Sequence, residues 1–366
     1  MTENGLPPLA GTAPSKSLRV MVVDDSAFMR FSITQQLNED PEIQVVGSAS
    51  NGNEALRLIP QLQPDVITLD VEMPHLDGLS TLREIMRNFP RPVIMVSSLT
   101  REGASETIQA LMLGAVDFIP KPDNSLDIRI TMGEIAAKIK QAAKAKVKPV
   151  ASYLSKAATP QSGIGAEKAV RPYKKLTPVI LIGSSTGGPG ALSEIIPALP
   201  SALPSPVLIV QHMPSGFTHS LSERLNSLSN LKVKEAEPGD QLMVWQVLVA
   251  PGGFHMTLDE NEKIALNQKP TVHGVRPAVD VTLNSLNKHF GKNMIGVILT
   301  GMGSYGAIGM SILYSAGGYV IAEHESTCVV WGMPRCVVEA GAASVVLPRP
   351  QIAKAIENAI REMTKK

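Results

Sequence analysis

The chain has 366 residues, with 34 Lys and Arg against 33 Asp and Glu and a formal charge of +1. Hydrophobic residues make up 44% and charged residues 18%, enough to bury ordinary cores and too apolar for a disordered chain. The near-neutral balance argues against a surface devoted to nucleic acid or membrane, and 2 Trp, 5 Tyr and 7 Phe are few for single-strand stacking platforms.

The length suits two or three domains. Residues 1–17 hold Pro, Gly and an early Glu3 with no long apolar stretch, so they read as a disordered arm and not as a signal peptide. No segment approaches the roughly 18 unbroken apolar residues of a membrane helix, so no membrane insertion is expected and cytoplasm is the default. Cys328 and Cys336 are the two cysteines. They exclude a disulfide framework or Cys-rich zinc site and read as reduced thiols in a core.

From Arg19 the chain alternates apolar runs with helical patterns. Strands are predicted at 19–23, 43–47, 65–69, 92–96 and 117–120. Helices are predicted through Phe28, Ile33 and Leu37, then near 54–59, 78–87 and 102–113. Such alternation predicts a parallel sheet covered on both faces. Residues 138–175 carry nine Lys and one Arg against Glu167 alone, with Ser, Ala, Gly and Pro. That run reads as a flexible basic tether, with an acid-docking patch as the sharper alternative. A second alternating block runs from about 178 to 348, with strands at 179–182, 207–210, 246–250, 295–299, 319–322 and 344–347. The expected layout is an arm at 1–17, a first domain at 18–135, a linker at 136–177 and a second domain at 178–366.

In open α/β sheets, function gathers beyond the carboxyl ends of the strands. Asp24, Asp25 and Asp70 each close a predicted strand, so they should converge and repel unless a cation sits among them; hard oxygen ligands suit Mg²⁺. Ser97 and Lys121 close two further strands on the same rim, where a hydroxyl and an ammonium could bind phosphoryl oxygens. Asp70 could then serve as a nucleophile.

The second block opens on Val179-Ile180-Leu181-Ile182-Gly183-Ser184-Ser185-Thr186-Gly187-Gly188-Pro189. This is a strand, a Gly-x-Ser-x-Gly turn and a helix start, with Pro189 in the first turn, where its missing N–H costs nothing. Leu192, Ile195, Ile196 and Leu199 give that helix a buried face, and Pro197 predicts a kink or an end nearby. The turn alone is weak evidence; a phosphate-cradling loop or a plain tight turn would read alike. A serine hydroxyl needs a base, and His212 closes the next strand on the same rim as Ser185. A third strand, 295–299, ends in the Gly-rich loop Thr300-Gly301-Met302-Gly303-Ser304-Tyr305-Gly306, where an acid orienting His212 would be expected.

Taken as a set, Asp24-Asp25, Asp70 with Met73-Pro74 and Asp77-Gly78, Ser97, and Phe118-Ile119-Pro120-Lys121-Pro122 resemble a receiver domain of the response regulators. Gly183–Gly188, Gln211–Thr218, Ala250–Gly252, Arg276–Asp280, Leu299–Gly303 and Cys328–Arg335 resemble the chemotaxis methylesterase family. The two resemblances cover about 18–123 and 178–350. They imply an α/β chain of two doubly wound parallel-sheet domains, the first flavodoxin-like and the second a Rossmann-like serine hydrolase, joined by a linker. They imply that a histidine kinase phosphorylates Asp70. Mg²⁺ would be held by Asp24, Asp25, Asp70 and the backbone carbonyl of Glu72, with no cofactor in the hydrolase domain. Ser97 and Phe118 would be the switch pair beside Lys121, and a cis Lys121–Pro122 bond is compatible with the pattern. Ser185 would be the nucleophile and His212 its base. Backbone N–H groups near Thr186, Gly187 and Gly188, or at Met302, would hold the oxyanion. The implied reaction is demethylation of glutamyl esters, and deamidation of glutamines, on methyl-accepting chemoreceptors. The unphosphorylated receiver would cover the site.

One position departs. The family pattern after Gly-Met-Gly is Asn-Asp-Gly, and that Asp completes the triad; here Tyr305 stands in its place. Three readings follow: an impaired hydrolase, a working one that uses another acid such as Asp280 or Glu323 or needs none, and an altered position. A phospho-switched binding protein without useful hydrolysis is the rival from another class. A DNA-binding regulator has little support, because no basic recognition helix is visible and no nucleic-acid partner is expected.

Overall fold

The computed structural model describes residues 17–121, 127–147 and 170–365. Residues 1–16 of the expected arm, the bond from Lys121 to Pro122, and 148–169 of the expected linker lie outside the described residues. The first sheet is formed by β1 (Leu18–Val23), β2 (Ile43–Ala49), β3 (Val66–Asp70), β4 (Val93–Ser97) and β5 (Asp117–Pro120) in the order β2-β1-β3-β4-β5, all parallel. Every residue of β3 and β4 is buried, as parallel strands covered on both faces require. The covering helices are α1 (Ala27–Asn38), α2 (Gly52–Leu62), α3 (Gly78–Asn88), α4 (Arg101–Met112) and α5 (Asp127–Ala142). Ser26, Asn51, Asp77 and Thr100 cap the first four, each accepting a backbone N–H from the first turn. Helix α5 crosses the expected boundary at 135 and buries Ile135 and Ile139 in the first core.

The second sheet has seven parallel strands among the described residues. They are β7 (Val179–Ser184), β8 (Val207–Gln211), β9 (Lys232–Glu235), β11 (Gln246–Val249), β14 (Met294–Ile298), β15 (Tyr319–Glu323) and β16 (Val345–Leu347), in the order β16-β15-β14-β7-β8-β11-β9. The order reverses between β14 and β7, so the loops leaving these two strands face a crevice at the switch point. Its helices are α6 (Gly188–Ala198), α7 (Phe217–Leu228), α8 (Val279–Phe290), α9 (Ala307–Ser315), α10 (Met333–Glu339) and α11 (Arg349–Thr364). Helix α6 ends one residue after Pro197, as its ring predicts. β9, sequence KVKE, escapes a periodicity reading because it is a short charged edge strand. Two antiparallel pairs were also not foreseen: β12 (His255–Leu258) with β13 (Ile264–Asn267), and β6 (Arg171–Pro172), inside the expected linker, with β10 (Met243–Val244).

The two sheets share an interface. Helix α4 packs on α6 and α7, and one buried apolar cluster runs from Leu111 and Phe118 to Leu192 and Phe217. Lys146, just past α5, donates its N–H to the Val329 carbonyl and pairs through Nζ with Glu325 at 2.8 Å. No helix among the described residues is long and apolar enough to cross a membrane.

Candidate active site and phosphorylation site

Asp24 and Asp25 follow β1 and Asp70 ends β3, so the order reversal in the first sheet brings them together. Ligand atoms of all three lie within 4.8 Å of one another. Asp24 and Asp70 are buried and Asp25 is exposed. Lys121 Nζ sits 2.7 Å from Asp70 Oδ2 and 3.7 Å from Asp24 Oδ2. Burial pushes Asp70 up to about 6, against the pull of the Lys121 ammonium and with a further push from Asp24. Burial also raises Asp24. Among the described residues, Asp24 Oδ2 is buried without a hydrogen-bond partner, so the cluster fits a divalent cation that would use that lone pair. Glu72 donates its backbone N–H to Asp70 Oδ1 at 3.3 Å and so lies on this rim.

The expected switch pair is split between two surroundings. Ser97 is buried, and its hydroxyl donates to the Gly103 carbonyl at 3.1 Å. Phe118 faces the second domain and packs on Phe217, ring centroids 4.3 Å apart.

In the second domain, Ser185 follows β7, His212 follows β8 and the Gly301–Gly303 loop follows β14. Ser185, Thr186, Gly187, His212, Met302 and Tyr305 all line one cavity of about 530 Å³. Asp117, Phe118 and Lys138 of the first domain line it too. Gly301 is needed behind the serine: a Cβ there would come within 2.9 Å of Ser185 Cβ and 2.2 Å of Met333 Sδ. Gly187 turns at φ +77°, a conformation that favours glycine. Gly188 is a correction to the expected oxyanion set. Its N–H closes a turn onto the Ser185 carbonyl at 2.7 Å and is not free to face an oxyanion.

Among the described residues, His212 has no hydrogen-bond partner on either ring nitrogen. Burial pushes it down to about 4. The Tyr305 ring stands edge-to-face against it, centroids 4.7 Å apart and planes at 80°. Neither suggested substitute acid serves it. Asp280 caps α9, accepting from Gly306 at 2.9 Å and Gly309 at 2.8 Å. Glu323 accepts from the Thr300 N–H at 2.8 Å and pairs with Arg349.

Gln211 is a positioning residue that the sequence shows only as part of a motif. Its side chain accepts from Ser184 Oγ at 2.7 Å and donates to the carbonyls of Ser185 at 3.0 Å and His212 at 3.1 Å. It thereby fixes the two functional strand ends to each other; a buried Gln closing a central strand was the available signal. Cys328 is a buried thiol, raised by burial, but Cys336 departs from the core reading: it is only half buried, its Sγ 3.7 Å from the Gly303 carbonyl.

A family model described as CheB methylesterase matches residues 180–356, and one described as a response regulator receiver domain matches 20–132. A protein-glutamate methylesterase/protein-glutamine glutaminase of Symbiobacterium thermophilum is 54% identical over 356 residues, 95% of this chain and 98% of that protein. The chain belongs to the CheB methylesterase family. A relative of the same description from Pyrococcus abyssi is 44% identical, covering 96% of this chain and 95% of its own. The crystal structure of the Thermotoga maritima CheB methylesterase catalytic domain is 47% identical and covers 50% of this chain and 98% of its own, with a TM-score of 0.48. Its response regulator domain is 50% identical over 36% of this chain and 99% of its own, with a TM-score of 0.34. Family membership makes the chain a carboxylic ester hydrolase of a two-component system, with a divalent-metal site at the acidic cluster.

Proposed function

We propose that this chain demethylates glutamyl methyl esters, and deamidates glutamines, on chemoreceptors, under control of phosphorylation at Asp70. The observation that carries the reading is a cavity lined both by Ser185 and His212 and by Asp117 and Phe118 of the receiver. Ser185 Oγ attacks the ester carbonyl while His212 takes its proton, and His212 then protonates the departing methanol. Water, activated by the same imidazole, releases the glutamate and regenerates Ser185. The N–H groups of Thr186 and Gly187, at the entrance to α6, and of Met302 are the donors for the oxyanion.

A histidine kinase is the phosphodonor in this reading. Asp24, Asp25, Asp70 and the Glu72 carbonyl would hold Mg²⁺, which when bound supplies positive charge to the phosphoryl oxygens. Lys121 adds an ammonium beside Asp70, and Ser97 would give up its bond to Gly103 to meet the phosphoryl group. The test is methanol release from methylated receptor membranes. A small-molecule phosphodonor with Mg²⁺ should raise the rate severalfold, and Asp70→Asn should remove that rise while keeping the basal rate. No release above background by the unmodified chain would favour the rival binding protein, which the Tyr305 ring beside His212 supports.

In this closed form one hydrogen bond ties the receiver to the nucleophile loop, and a ring contact joins it to the start of α7. Thr186, next to Ser185, donates its hydroxyl to Asp117 Oδ2 at 2.8 Å, and the Phe118 ring packs tilted against Phe217. Asp117→Ala removes the hydrogen bond and leaves the phosphorylation site intact. Loss of about 1 kcal/mol from the closed form should raise the unphosphorylated rate about fivefold. An unchanged basal rate would mean that this bond does not hold the receiver down.

A further inference from the structure

Glu323 and Arg349 form a buried ion pair that neither the phosphorylation site nor the Ser185–His212 pair uses. Glu323 closes β15 with no solvent exposure, and Arg349 opens α11 at 7% exposure. Arg349 Nε lies 3.0 Å from Glu323 Oε1, and its Nη1 lies 3.0 Å from Glu194 Oε1 on α6. Arg349 also donates through Nη2 to the Thr327 carbonyl, so its guanidinium is held at three points. A buried pair of this kind is costly to desolvate, and apolar residues of the same volume often serve stability as well or better. Its placement suggests what it does instead.

The second carboxylate oxygen of Glu323 accepts the Thr300 N–H at 2.8 Å. Thr300 in turn carries the nucleophile loop. Its carbonyl accepts the Ser185 N–H at 3.1 Å, and its hydroxyl donates to the Thr186 carbonyl at 3.0 Å. The same hydroxyl accepts the Val330 N–H at 3.0 Å. Thr300 is also the residue that leads into Gly301-Met302-Gly303. The backbone on both sides of Ser185, and the start of the loop that brings Met302 to the cavity, therefore share one anchor, and that anchor is fixed by Glu323.

We infer that Glu323, oriented by Arg349, is a positioning residue for the esterase reaction: through Thr300 it sets Ser185 Oγ in register with the N–H groups that receive the oxyanion. It touches no substrate. The inference rests on the hydrolase reading above. Small displacements of a reacting group by distant changes can cost about a hundredfold in rate, so the effect belongs in turnover and not in substrate binding.

The test uses the full chain in a Tyr305→Asp background, with Ser185 counted by stoichiometric labelling with an alkyl fluorophosphonate. Glu323→Gln keeps the shape and removes the charge. It should lower kcat per labelled Ser185 about tenfold or more, slow the labelling itself, and leave KM within about twofold. A lower Tm with kcat per labelled site unchanged would make the pair merely structural and overturn the inference. Should Glu323→Gln fail to fold, Glu323→Asp keeps the buried charge for Arg349 but, one methylene shorter, does not hold Arg349 and the Thr300 N–H together. It should show the same fall per labelled site; an unchanged Glu323→Asp enzyme overturns the inference equally. A Tyr305→Asp parent that neither labels nor releases methanol sinks the hydrolase reading itself, and with it this inference. That result is distinguishable, because the parent retains Glu323.

Discussion

Replacing Tyr305 with aspartate is expected to raise methanol release at least tenfold, with receiver phosphorylation unaltered. The ceiling is set by other serine hydrolases, where removing the function of the orienting carboxylate costs roughly 10⁴ in rate, about 5.5 kcal/mol. The backbone is already in place to receive the change. Asp280 grips the N–H groups of Gly306 and Gly309, and Gly306 turns at φ +83°, so the loop is held from outside the triad. What the loop presents to His212 is a phenol ring, 4.7 Å between centroids, which offers no hydrogen bond to either imidazole nitrogen. Phenol is neutral near neutral pH and cannot stabilise the imidazolium that forms when Ser185 gives up its proton. Equal rates for the two proteins would show that a third carboxylate is dispensable in this chain.

The same substitution has a signature in pH. His212 must be neutral to accept a proton, and burial holds it at about 4. The acid limb of kcat/KM in the unsubstituted chain should therefore lie near pH 4, with a flat profile above it. A carboxylate at 305 favours the charged imidazole and moves that limb to higher pH. Stability follows with a fixed sign. Between 6.5, the ordinary value, and about 4, the unfolded chain binds a proton on this residue that the folded chain does not. Stability from this group is complete above 6.5 and is lost as pH falls toward 4. The Tyr305→Asp chain should lose less across that window, measurable as Tm against pH.

The parts of the site visible in the sequence were those that close a central parallel strand. Asp70, Ser185 and His212 lie at the ends of mostly apolar runs, and a parallel sheet sends all such ends to one rim. The position of Tyr305 was legible by its departure from a pattern. The environment of the remaining acids was not. Asp280 and Glu323 looked equally available as partners for His212, because sequence reports neither a helix N-terminus closing on a carboxylate nor an arginine arriving from 26 residues away. Phe118 likewise looked like a residue of the first domain alone. Its ring contact with Phe217 and the bond between Thr186 and Asp117 join surfaces made by distant segments, for which no local periodicity exists.

Ser185→Ala is expected to lower turnover by well over a hundredfold in the Tyr305→Asp chain, and to erase nearly all the gain that Tyr305→Asp confers. The argument is one of coupling. An aspartate at 305 can act only through His212, and His212 acts on substrate by moving the Ser185 proton, so the residues work as a chain and their effects cannot add. Without Ser185, what remains is carbonyl polarisation by the oxyanion donors, and in comparable enzymes such residual catalysis does not depend on the acid. The four proteins (unsubstituted, each single variant and the double) therefore make a cycle whose coupling should approach the whole effect of Tyr305→Asp. If Tyr305→Asp raised the rate equally with and without Ser185, its carboxylate would be activating water directly. The nucleophile would then have to be sought away from the β7 turn, although Gln211 and Thr300 both hold that turn in place.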